Sequence, residues 1–159
     1  MRIILFAVGK LKKNAISQIY TQYFERVSAC AKSLGIQHIS NYEILESRAS
    51  TASLRKNQEG KKLLDLMPKN GYLILCDEKG ENLSSIAFVS KLRSVIEQGL
   101  GDIVVAIGGA DGFCDEIKQR ANLTISFGAM TWPHQLARIL LAEQLYRAMT
   151  IMLSHPYHR

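Results

Sequence analysis

The sequence predicts an α/β protein on a mainly parallel sheet, and three observations carry that prediction. Apolar runs rich in β-branched residues recur at positions 3–8, 37–45, 72–76, 103–107 and 123–127. Helical stretches at 15–33, 53–67, 84–97, 115–121 and 134–153 separate and follow them. Strands alternating with helices in this way build parallel crossover units. The third observation is size: 159 residues with 47% hydrophobic content suffice for one core and leave little room for two full domains.

Taken in order, the first strand is an apolar run of six residues that ends at Gly9 and Lys10. It is too short for a membrane span and is followed by no cleavage pattern, so it reads as a buried strand. The polar stretch 46–58 after the second strand reads as a mobile loop leading into a helix with Arg55, Lys56, Lys61 and Lys62. Ser84 or Ser85 caps the third helix. Asp115 opens the fourth after the glycine-dense turn at 108–112, and Pro133 sits where the fifth begins and where its missing N–H costs nothing.

Lysine and arginine number 20 against 14 acidic residues, a net charge of +6 that favours a polyanionic partner. Cys30, Cys76 and Cys114 are odd in number and far apart, without metal-ligand spacing, and read as reduced thiols of a cytoplasmic protein. With no Ser/His/Asp arrangement, no H-E-x-x-H and no telling carboxylate pair, hydrolase and metalloenzyme readings have little support.

Three strand ends carry pocket-like loops. Leu75-Cys76-Asp77-Glu78-Lys79-Gly80 takes a buried strand into a charged turn, and ligands of open α/β sheets bind outside the carboxyl ends of strands. Ile107-Gly108-Gly109-Ala110-Asp111-Gly112 offers close backbone approach and unobstructed N–H groups, but matches neither G-x-G-x-x-G nor the triphosphate loop. Gly128-Ala129-Met130-Thr131-Trp132-Pro133 adds backbone donors and an apolar wall suited to a flat ring. Singly, each is also an ordinary turn; together they suggest a pocket.

The last helix is apolar on more than one stripe. Leu136, Ile139, Leu140, Leu145, Met149 and Met152 are assigned to the core, leaving Leu141 and Ala148 for a second surface, either a partner subunit or further burial. Glu143 and Arg147, four apart, read as a surface ion pair. The terminus Ser154-His155-Pro156-Tyr157-His158-Arg159 gathers groups that stack on a base, hold a phosphate or move a proton.

Those motifs, with Val8-Gly9-Lys10-Leu11-Lys12-Lys13 near the start, Met130-Thr131-Trp132-Pro133-His134-Gln135-Leu136, and Ala142-Glu143-Gln144-Leu145-Tyr146-Arg147-Ala148, resemble in order and spacing the large-subunit ribosomal RNA pseudouridine N3 methyltransferases of the SPOUT superfamily. The resemblance covers nearly the whole chain. Two positions depart: Cys76 replaces a usual aliphatic residue, and Trp132 a usual phenylalanine or leucine.

The resemblance implies a single SPOUT domain over 1–159, doubly wound with helices on both faces of the sheet and a C-terminal trefoil knot. It implies S-adenosylmethionine at Leu75, Cys76, Gly108, Gly109, Gly128, Ala129, Met130, Thr131, Trp132 and Pro133. It also implies a homodimer in which the tail of one subunit completes the site of the other, acting on 23S rRNA in the ribosome with no metal and no membrane. Tyr157, His158 and Arg159 are then the catalytic candidates, with His134 and Arg147 behind them. In this scheme Tyr157 orients the base, His158 assists removal of the N3 proton and Arg159 steadies negative charge. Lys10, Lys12, Lys13, Arg55, Lys56, Lys61 and Lys62 would meet phosphates. The rival readings are a nucleotide-binding oxidoreductase, against which the missing first-strand glycine motif speaks, and an inactive RNA-binding module.

Overall fold

A computed structural model describes residues 1–157, in which five strands alternate with five helices. The order is β1 (Arg2–Val8), α1 (Ala15–Ala31), β2 (His38–Ile44), α2 (Ala52–Leu66), β3 (Tyr72–Asn82), α3 (Ser85–Glu97), β4 (Ile103–Ile107), α4 (Asp115–Arg120), β5 (Leu123–Ser126) and α5 (His134–Met152), with a 3₁₀ turn, Lys32–Leu34, after α1. The sheet runs β2-β1-β4-β3-β5 and every pairing is parallel. β1 and β4 sit inside it and are buried almost without interruption, as a parallel strand covered on both faces must be.

Two cores result. Ile3, Leu5, Ile74, Ile103 and Val105 point toward α1, α3 and α5, where they meet Val27, Phe88, Leu92, Leu141 and Leu145. Ile4, Phe6, Leu73, Leu75, Val104 and Ala106 point the other way, toward Leu63 of α2 and Ile117 of α4. The alternation follows from the period of two along each strand.

Local chemistry sets the helix starts. Asn14 and Ser17 form a reciprocal capping box on α1, Thr51 accepts from the Leu54 N–H, and Ser84 rather than Ser85 caps α3 by accepting from the Ala87 N–H. Among the described residues no helix is long and apolar enough to cross a membrane.

Three sequence expectations are corrected. First, the stretch 46–58 is mostly fastened structure. The Ser47 N–H donates to Glu59 (2.8 Å), its hydroxyl to Gln58 (2.6 Å), and the Arg55 guanidinium to the Ala49 carbonyl (3.0 Å), while α2 already begins at Ala52. Polar side chains there serve to cap the loop, which hydropathy alone reads as slack.

Second, the charged segment after Cys76 is no terminal turn. β3 continues to Asn82 and pairs β5 twice, with a register shift between Cys76 and Glu81 that lets 77–80 bulge outward. Gly80 permits this: a Cβ there would lie 2.5 Å from the Ile125 carbonyl carbon.

Third, the expected core face of α5 holds only at Leu145 and Met149. The buried stripe is Arg138, Leu141, Ala142, Leu145, Ala148 and Met149, spaced at three and four, whereas Leu136 is exposed and Ile139, Leu140 and Met152 are half-buried. Small Ala142 and Ala148 allow the helix to nest between α1 and α3. A buried arginine inside the stripe hides it from a count of apolar residues.

Candidate active site

The bulge of β3 after Cys76 and the carboxyl ends of β4 and β5 open into a cleft of about 640 Å³, a size suited to a small-molecule ligand. Its walls are the loops 76–79, 107–113 and 126–132, with Lys56 of α2 at the rim and His134 and Ala137 from the first turn of α5.

Backbone does most of the shaping. In the middle loop the Gly112 N–H donates to the Gly109 carbonyl (2.9 Å), and Gly112 takes the left-handed conformation (φ +75°) that this turn requires. A Cβ on Gly109 would meet Glu59 Oε2 at 2.9 Å, and one on Gly108 would press on the Gly112 backbone at 3.2 Å. Arg55 grips the same loop from α2 through both Asp111 oxygens (2.6 and 3.1 Å). Side-chain hydrogen bonding to Arg55 holds the Asp111 carboxyl below its ordinary range. In the third loop Ser126 and Gly128 exchange hydrogen bonds, and the Trp132 indole N–H donates to the Phe127 carbonyl (3.2 Å), presenting its ring to the opening.

Acidic and basic groups share the rim: Asp77 pairs with Lys118 at 3.2 Å. Burial pushes the Cys76 thiol up to about 12, so it is a neutral wall group at physiological pH. His134 is held below its ordinary value of 6.5, first by burial and then by Arg138, and its buried Nε2 has no hydrogen-bond partner among the described residues.

Behind the cleft, the Arg138 guanidinium is almost wholly buried. It donates to Glu43 and to the Gly9 carbonyl (3.1 Å) and lies over the Tyr20 ring, 5.0 Å from its centroid. The Tyr20 hydroxyl in turn donates to Asn41 (2.8 Å). This network ties the start of α5 to the ends of β1 and β2. Sequence reasoning passed over Arg138, Glu43, Tyr20 and Glu59. The one available signal was an arginine at core spacing in α5.

Of the residues expected to bind a cofactor, Cys76, Gly108, Gly109, Gly128, Met130, Thr131 and Trp132 line the cleft. The Leu75 side chain does not; one position before Cys76, it points into the opposite core and is fully buried. Ala129 and Pro133 belong to the third loop without lining the cavity.

Of the expected catalytic residues, Tyr157 lies outside the lining of this cleft. Tyr157 packs against its own α5: its hydroxyl donates to Glu143 (3.3 Å), its ring centroid is 4.7 Å from that of Tyr146, and the Arg147 guanidinium carbon lies 4.9 Å from its ring centre. Burial is the largest cause that pushes this phenol up to about 12, so it stays protonated. Arg147 and Glu143 form the expected pair (2.6 Å), but it is part-buried under the tail. His158 and Arg159 lie outside the described residues. The basic groups also divide: Lys10, Lys12, Lys13, Lys61 and Lys62 are exposed, Lys56 lines the cleft, and Arg55 is committed to Asp111.

Residues 1–158 match the profile of a family described as Predicted SPOUT methyltransferase. The chain is similar to the Ribosomal RNA large subunit methyltransferase H of Bartonella bacilliformis, with 47% identity over 159 residues covering 100% of this chain and 99% of that protein. The protein of the same name from Rhizobium leguminosarum bv. trifolii is 48% identical with the same coverage. Among solved structures, the TrmH/SpoU tRNA modifying enzyme of A. aeolicus aligns over 99% of this chain and 81% of its own with 13% identity and a TM-score of 0.45.

Proposed function

This chain belongs to the SPOUT methyltransferase family, and we propose that it transfers a methyl group from S-adenosylmethionine to N3 of a pseudouridine in 23S ribosomal RNA, acting on the assembled ribosome. The observation that carries the reading is the convergence of the β3 bulge and the ends of the adjacent strands β4 and β5 on one cleft, in a chain nearly half identical over its full length to proteins named for large-subunit rRNA methylation.

The cleft suits the cofactor. Gly108 and Gly109 line the cleft, and the absence of a Cβ at either lets their loop pack tightly on the Gly112 backbone and on Glu59, which holds the cleft floor in place. Trp132 and Met130, 43% and 76% exposed, supply apolar surface for an adenine ring, and the mixed acidic and basic lining suits a ligand that carries both signs of charge. When bound, the cofactor supplies a methyl carbon already activated by a positive sulfur, so the protein's larger task is to align the acceptor nitrogen.

That acceptor needs to lose its N3 proton. Tyr157, protonated and seated on α5, serves to orient the base; His158 takes the proton, and Arg159 steadies the resulting anion or a phosphate. Tyr157 is absent from the lining of its own cleft, which favours a homodimer whose tails cross to the partner's site. A second hollow beside the cleft, lined by Leu83, Phe88, Phe127, Trp132 and Leu140, offers apolar surface for that contact. The C-terminal trefoil knot and the single domain over 1–159 belong to the same reading, as does residence in the cytoplasm, where ribosomes work.

The test is transfer of labelled methyl from S-adenosylmethionine to ribosomes and to free 23S RNA. Ribosomes should be labelled, and deletion of residues 157–159 should abolish transfer while calorimetry still records cofactor binding. Labelling of neither substrate would sink the reading, and undiminished transfer by the truncated chain would remove the tail from catalysis.

A further inference from the structure

The site described so far leaves a neighbouring cluster unused. One turn apart on α1, Tyr23 and Arg26 face Tyr146 of α5, and the Arg26 guanidinium carbon lies 5.6 Å from the Tyr23 ring centre and 5.8 Å from that of Tyr146. The two rings are themselves 6.3 Å apart and tilted by 55°. Tyr146 continues the stack to Tyr157, whose hydroxyl donates to Glu143.

The charges in this cluster are unequally matched. The Glu143 carboxylate is taken by Arg147 and accepts from Tyr157, whereas Arg26 is exposed and has no carboxylate within ion-pair distance among the described residues. Two aromatic rings restrict where its guanidinium points without consuming its N–H donors. A planar cation held in this way, with its donors open to water, matches a phosphate better than a free-swinging lysine does.

We propose that Arg26 is an RNA-phosphate contact, pre-oriented by Tyr23 and Tyr146, and that α1 therefore extends the substrate surface around the tail. This rests on the RNA methyltransferase reading and adds to it a contact on an element far from the cleft loops in sequence. The tail makes the placement productive: Tyr157 caps the same aromatic stack, so a phosphate on Arg26 adjoins the nucleotide that the tail addresses.

The experiment uses full-length wild type, Arg26→Gln and Arg26→Lys, with KM for ribosomes measured across a series of KCl concentrations and S-adenosylmethionine affinity measured by calorimetry. Loss of one phosphate contact should raise KM about tenfold for Arg26→Gln near 0.1 M salt and reduce the slope of log KM against log salt by about one, with cofactor affinity unchanged. Arg26→Lys should restore most of the slope, because the charge is kept. An Arg26→Gln enzyme with the wild-type slope overturns the proposal, whether KM is unchanged or has risen through disturbed tyrosine packing. So does a fall in cofactor affinity that accounts for the lost activity. If wild type itself methylates no ribosomes at any salt, the parent reading fails; wild-type transfer with an indifferent Arg26→Gln fails this inference alone.

Discussion

The cleft and the seat of the tail lie at opposite ends of α5 and are made of different material. At the cleft, glycine loops and strand ends set the shape, and the side chains behind them, Arg138, Glu43 and Glu59, are withdrawn from full contact with water. At the seat, two rings and two guanidinium groups on two helices make the surface, and much of it is wet: Arg26 is exposed and Arg147 about a quarter exposed. A site made of backbone is altered by adding atoms, whereas one made of side chains is altered by removing them. The two should therefore respond to different mutations.

The largest effect is expected from Gly80→Ala. The added Cβ would fall 2.5 to 2.7 Å from the Ile125 backbone, where no flexible side chain can yield, so β5 must shift away from β3. Overpacking of this kind costs about 3 kcal/mol; urea unfolding should record that loss and calorimetry a loss of cofactor binding. Retained stability and binding would show the bulge to be softer than the cleft's construction implies.

Next comes Arg138→Met, which removes the cation between Glu43, the Gly9 carbonyl and the Tyr20 ring. Leaving a part-buried carboxylate without its partner costs about 2 kcal/mol. Adding Glu43→Gln should recover part of that loss in urea unfolding. Strict additivity of the two changes would mean that the pair does not act as a unit.

pH separates the regions further. His134 has a lowered folded-state pKa, chiefly through burial, so the unfolded chain binds its proton more readily. Stability from this residue is fully present above the ordinary value of 6.5, declines as pH falls below it, and stops declining once the folded form also titrates. His134→Gln should flatten that part of a stability-versus-pH curve. Tyr157, pushed up to about 12, contributes no titration in this range.

The smallest stability effect is expected at the seat. Tyr157→Phe removes one long hydrogen bond to Glu143 while leaving the ring stack, a loss of about 0.5 kcal/mol in thermal unfolding. Its consequence should instead appear in methyl transfer, as a lowered kcat with cofactor affinity intact. A large stability loss would make the tail a structural strut.

How much of this was legible beforehand can be followed in particular residues. The five strands and five helices are written in local patterning, and their limits shift by a residue or two. The exception is β3, whose continuation past Cys76 depends on pairing with β5, a partner more than forty residues away. The glycines at 108 and 109 marked their loop because glycine has a steric meaning in isolation. Arg138 had none: an arginine in an apolar helix signals a site only once a carboxylate and a strand-end carbonyl are found facing it. His158 and Arg159 were singled out by the chemistry of the tail and then by the family resemblance, and they lie outside the described residues.

The sequence by itself determined the fold class, the loops that follow β4 and β5 and, through the order and spacing of its motifs, the family. Those are short-range properties, fixed by periodicity, by the freedom of glycine and by runs of adjacent residues. Only the tertiary structure decided which stripe of α5 is buried, that Leu75 points away from the cleft while Cys76 points into it, and that Tyr23 and Arg26 of α1 stand beside the tail. The physical reason is common to all three: which face of a helix or strand is covered depends on neighbours brought together from distant parts of the chain.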